Sequence, residues 1–135
     1  MQKKVTITTS LVTLTDNGEE RFNTSAEGCC VVADEGMYLR YAEPDNDGEA
    51  VWVLTADLVD LQRRGHITSR FTFIEGRLTD APYTTPHGPI ALRLYTHSAE
   101  LDVDRERLLF KARYTVLAQG KAVADNHLRV EARFV

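Results

Sequence analysis

The sequence predicts an all-β protein, an up-and-down antiparallel β-barrel of about eight to ten strands. Three observations carry this. Apolar and polar residues alternate with period two along almost the whole chain. Turn residues interrupt the alternation at short, regular intervals. No stretch shows convincing helical spacing; the best candidate, Ala56 to Arg64, reads equally well as a strand.

The elements follow in order. Lys3 to Thr15 is rich in Val, Ile and Thr and forms a long first strand. Asp16-Asn17-Gly18 closes it, because Asn-Gly supplies the positive φ angles of a tight hairpin. Glu19 to Ala33 returns, and Gly28 within it suggests a bulge or sharp bend. Asp34-Glu35-Gly36 leads into Met37 to Glu43, and Pro44 to Gly48 is the most polar loop. Ala50 to Thr55, Leu58 to Arg64, Ile67 to Ile74 and Arg77 to Thr84 make four further strands. Pro86-His87-Gly88-Pro89 turns into Ile90 to Asp102, and Leu108 to Leu117 and Val123 to Phe134 form the last hairpin. Short connections pair sequential strands antiparallel, and a sheet this wide closes to remove its edges.

Length and composition set bounds. The 135 residues make one domain spanning 1–135, with 43% hydrophobic and 27% charged residues. A formal net charge of −4 argues against nucleic acid or an anionic membrane surface as a partner. Lys3 and Lys4 are not followed by the apolar run of a signal peptide, and no stretch approaches the roughly 18 apolar residues of a spanning helix. A cytoplasmic protein is expected, as a monomer or homodimer. Cys29 and Cys30 are adjacent, point to opposite faces of a strand and read as reduced thiols.

The late strands define the inward face. Ile90, Leu92 and Leu94, Leu108 to Val116 at alternate positions, and Leu128, Val130, Ala132 and Phe134 share it. The same rule places Leu39, Tyr41 and Glu43 together, and Val59, Leu61 and Arg63 together. Glu43 and Arg63 thus each end an apolar series with a charge. A lone buried charge costs several kcal/mol, so each needs a partner, water or an open mouth. Strands three, five and seven run the same way, which brings Glu43, Arg63, Tyr83 and the His87 turn to one rim. Such charges are ordinarily solvated rim residues; the alternative is a polar mouth above an apolar lumen lined by Leu39, Tyr41, Leu61, Phe71, Phe73, Leu92 and Phe110. Trp52 and Tyr95 fall on the outward or ambiguous side, where packing or a dimer contact would use them.

No nucleophile elbow, C-x-x-C pair or phosphate loop is present. The four histidines, His66, His87, His97 and His127, lack close metal-ligand spacing, so neither a metal nor a cofactor is expected. His87 alone stands near the proposed mouth.

The ordered pattern Tyr38-Leu39-x-Tyr41-x-Glu43, Arg63-x-Gly65, Phe73-x-x-Gly76, Tyr83-x-Thr85-Pro86-x-Gly88, Thr96 and Tyr114 resembles the YwiB-like proteins. These are small bacterial calycin-type barrels classed as a domain of unknown function. The resemblance covers nearly the whole chain; Cys29-Cys30 and Ala42 depart from it. It implies a lipocalin-like barrel and no assigned catalytic residues. The leading expectation is non-catalytic binding of a small, anionic or amphipathic molecule at one mouth, using Tyr38, Tyr41, Glu43, Arg63, Tyr83 and His87. The alternatives are an enzyme using Glu43 or His87 as base, and an interaction module with a filled barrel.

Overall fold

Alternation of this kind buries one face of every strand, and the chain satisfies it by closing on itself. In the computed structural model, which describes residues 2–135, ten strands form a closed barrel. They are β1 (Gln2–Thr15), β2 (Gly18–Ala33), β3 (Gly36–Glu43), β4 (Gly48–Leu54) and β5 (Val59–Arg64), then β6 (Thr68–Phe73), β7 (Leu78–Thr85), β8 (Gly88–Val103), β9 (Arg107–Ala118) and β10 (Lys121–Phe134). Each pairs antiparallel with the next, and β1 closes the ring against β10, with Val5 opposite Phe134 and Leu14 opposite Asp125. Among the described residues no helix is long and apolar enough to cross a membrane. Ala56 to Arg64, the one stretch with any helical reading, is a bend followed by β5.

The strands are unequal. Those from β3 to β7 are short, whereas β1, β2, β8, β9 and β10 run 12 to 16 residues. Pairing of β2 with β3 covers only Gly28 to Ala33, so the first half of β2 projects past the end of β3. That projection overhangs the rim where β3, β5 and β7 end.

Aromatic rings fill the centre. Trp52, Phe73 and Phe110 are each at most 1% exposed. Trp52 stacks on Phe73 at 6.3 Å and meets Phe110 edge-on at 6.0 Å. Tyr114 meets Phe73 at 5.1 Å and Phe71 at 6.2 Å. Leu39, Leu54, Leu94, Leu108 and Val130 complete the packing. Leu39, Phe73 and Phe110 point inward as expected, with Tyr41, Leu61, Phe71 and Leu92 packed around them.

Three local readings change. Trp52 is not on the outer side but at the centre of the core, so it cannot serve a dimer contact. Its strand, Ala50-Val51-Trp52-Val53-Leu54, is apolar on both faces, and alternation alone cannot orient it. Gly28 makes no bulge: register runs unbroken through it on both sides. A Cβ there would meet the Arg40 carbonyl oxygen and approach the Tyr41 Cβ to 2.9 Å, so the glycine permits close strand contact. Register instead shifts between Thr96 and Ser98 and between Ala122 and Ala124. In the first hairpin Gly18 has φ 111° and Asn17 stays at negative φ.

Candidate functional site

The rim at the ends of β3, β5 and β7 carries the polar part of the barrel interior. β3 stops because Pro44 follows Glu43 and supplies no N–H to continue the ladder. Pro44–Asn46 form one 3₁₀ turn, closed by the Asp47 N–H donating to the Pro44 oxygen at 3.1 Å. Asn46, only 5% exposed, then fastens this turn to the β5–β6 connection. Its Nδ2 donates to the Ile67 oxygen at 2.9 Å, and the Ile67 N–H donates to its Oδ1 at 2.8 Å. The His66 N–H adds a bond to the Asn46 carbonyl at 2.8 Å. Gly65 is needed here, since a Cβ on it would collide with that same carbonyl.

This clamp sets two loops side by side, and with them the charges that precede each. Glu43 and Arg63 stand on β3 and β5, separated by β4, which contributes only Gly48 and Ala50 at their level. Across these small residues Arg63 Nε donates to Glu43 Oε1 at 3.0 Å and Oε2 at 3.2 Å. Their side chains are 34% and 19% exposed, so the pair sits in the mouth rather than in the core or in open water.

Beneath it, the Tyr41 hydroxyl accepts a 3.0 Å hydrogen bond from Trp52 Nε1, joining the rim to the aromatic centre. Burial pushes the Tyr41 phenol above its usual range, against the hydrogen bond from Trp52. Tyr114 is raised more strongly, again by burial, while the Arg63 charge opposes the shift.

Tyr41, Glu43, Arg63 and Tyr83 line one cavity of about 400 Å³. Its other walls are Thr24, Ser25 and Ala26 of β2, Pro44 to Asn46, and Ile67. Two of the six residues singled out from sequence stand elsewhere. Tyr38 is exposed on the outer face of β3, and His87 is exposed in the β7–β8 turn, where its N–H bonds to Thr85 Oγ1 at 3.1 Å. The β2 wall and Asn46 lie outside the residues that alternation and strand direction single out. The excess length of β2 over β3 is the signal that would have revealed the wall. Among the described residues no group of three His, Cys, Asp or Glu side chains is placed to hold a metal ion.

The arrangement offers an open cation–carboxylate pair, the half-buried phenols of Tyr41 and Tyr83, and a strand edge around a small cavity. Nothing in it resembles a nucleophile with its base.

Comparison with known proteins agrees with this description. Among solved structures, the ywiB protein of Bacillus subtilis superposes with a TM-score of 0.88 at 19% identity, covering 99% of this chain and 93% of that one. At that identity the likeness is one of fold. No curated protein matches significantly. Residues 5–130 match the family model described as a domain of unknown function, DUF1934. With nearly the whole barrel inside that match, the chain belongs to the DUF1934 family.

Proposed function

We propose that this protein binds a small molecule at the Glu43 rim without transforming it. One observation carries the reading. Arg63 holds Glu43 through Nε alone, and its Nη1 and Nη2 groups have no protein partner among the described residues, at the edge of a cavity of about 400 Å³. A guanidinium with free N–H groups binds a carboxylate or other oxyanion in bidentate fashion. Tyr41, Tyr83 and Ile67 supply the surface for the rest of the ligand. The volume suits a metabolite-sized molecule. Tyr38 and His87 do not line this cavity, and the binding set is Tyr41, Glu43, Arg63 and Tyr83.

The acid–base alternative has less support, since His87 is not among the lining residues. An interaction module is the second reading, and the packed aromatic centre favours it, because side chains fill the space an open lumen would offer. A cytoplasmic setting accords with the two free thiols, Cys29 and Cys30. The net charge of −4 supports a role apart from nucleic acid and anionic membranes.

Thermal-shift measurements on wild type and Arg63→Ala, against metabolite and fatty-acid libraries, test the proposal. A ligand-dependent rise in the wild type that the variant loses is the expected result. No rise in either protein refutes it.

A further inference from the structure

The charges around the mouth do not match a simple anion. Two carboxylates, Glu43 and Asp45, line the cavity with one guanidinium, Arg63. A monoanion drawn to Arg63 therefore enters a site that already carries an excess negative charge. Like charges in a partly desolvated space cost binding free energy unless a cation balances them.

The geometry of the pair indicates how that balance is reached. A closed arginine–carboxylate bridge uses two parallel N–H···O bonds and satisfies both partners. Here a single N–H is shared between both oxygens of Glu43. The other guanidinium N–H groups stay free, and Glu43 keeps acceptor capacity on both oxygens. Asp45 is exposed at the cavity edge, with no partner among the described residues. The pair can thus receive an anionic group on one side and a cationic group on the other without being broken.

We infer that the ligand is a zwitterion, its anionic end held by the free N–H groups of Arg63 and its ammonium end by Glu43 and Asp45. This rests on the binding reading above and narrows the ligand class. Amino-acid-like molecules with an aliphatic or aromatic body fit, the body resting on Tyr41, Tyr83 and Ile67. An acid lacking the ammonium leaves the two carboxylates uncompensated, and an amine lacking the carboxylate leaves Arg63 unused.

Calorimetric titration with matched sets separates these cases. L-leucine is compared with isocaproate and isoamylamine, and L-phenylalanine with hydrocinnamate and phenethylamine. At least one zwitterion should bind about tenfold or more tighter than both its acid and its amine. Asp45→Asn alters only an exposed side chain and should narrow the preference for zwitterion over acid; Glu43→Gln should narrow it further. Binding of an acid as tight as its zwitterion overturns the inference while leaving the anion site intact. An amine binding as tightly as its zwitterion overturns it too. No binding in either set overturns it as well, and a positive library screen would then show that the mouth takes some other class.

Discussion

Asn46 and Ile67, 21 residues apart, are joined by a reciprocal pair of hydrogen bonds at 2.8 and 2.9 Å, the side-chain amide of one facing the backbone of the other. The bonds are partly buried and hold the loops that follow Glu43 and Arg63. Asn46→Ala removes both and leaves a donor and an acceptor of Ile67 without a replacement. The expected loss is about 2–4 kcal/mol, from roughly 1–3 kcal/mol per unsatisfied group with partial rehydration at the rim. Urea unfolding measures it. A loss below about 0.5 kcal/mol, the range of ordinary surface changes, would show that the clamp is dispensable.

Tyr41 and Trp52 couple the mouth to the core, and Tyr41→Phe removes the bond between them. The ring still packs, but the Trp52 Nε1–H, buried at 1% exposure, loses its acceptor at 3.0 Å. The expected cost is about 1–3 kcal/mol. Trp52 is the sole tryptophan, so its fluorescence follows unfolding directly. Trp52→Ala, which removes a central ring, should cost about 3–5 kcal/mol.

The adjacent cysteines should differ in reactivity. Cys30 is fully buried and its thiol is pushed up, chiefly by burial, with the Lys3 ammonium opposing. Cys29 is partly exposed. Because the thiolate is the nucleophile, a raised pKa leaves Cys30 protonated at mildly alkaline pH, and burial blocks access besides. A limited dose of iodoacetamide should therefore label Cys29 first, and Cys30 only in denaturant. Peptide mass mapping reads the order, and equal labelling in the native state would contradict the burial of Cys30.

The barrel was legible because alternation survives in most strands. The inward sets of β3, β5 and β9 and the meeting of Glu43 with Arg63 follow from period two and strand direction. Legibility failed where the pattern was degenerate or broken. Ala50 to Leu54 is apolar on both faces, so Trp52 had no readable orientation. In β8 the inward series changes parity, from Thr96 to Ala99 and Leu101, because the bulge inserts one residue. Asp60 is 4% exposed although alternation puts it outside; Arg70 and Thr72 bond to it and cover it, a tertiary effect invisible in one strand's sequence. Asn46 resembled any polar loop residue, since its partner is remote along the chain.

Glu131 gives the fold a defined acid sensitivity. Three arginines converge on it: Arg107 Nη1 at 2.6 Å, Arg133 Nε at 3.0 Å and Arg129 Nη2 at 3.4 Å. Its carboxyl is held below the usual range, first by the Arg107 hydrogen bond and with further help from Arg133 and Arg129. A carboxyl depressed in the folded state binds protons more readily when unfolded. Its stabilisation is therefore complete above the unfolded value of about 4.3 and is lost as pH falls through the lower folded value. Glu131→Gln should lower the urea midpoint at neutral pH. The gap between variant and wild type should then shrink steadily below about pH 4, where the wild-type carboxylate takes up its proton. Parallel pH profiles for the two proteins would show that the arginine cluster contributes nothing through the charge of Glu131.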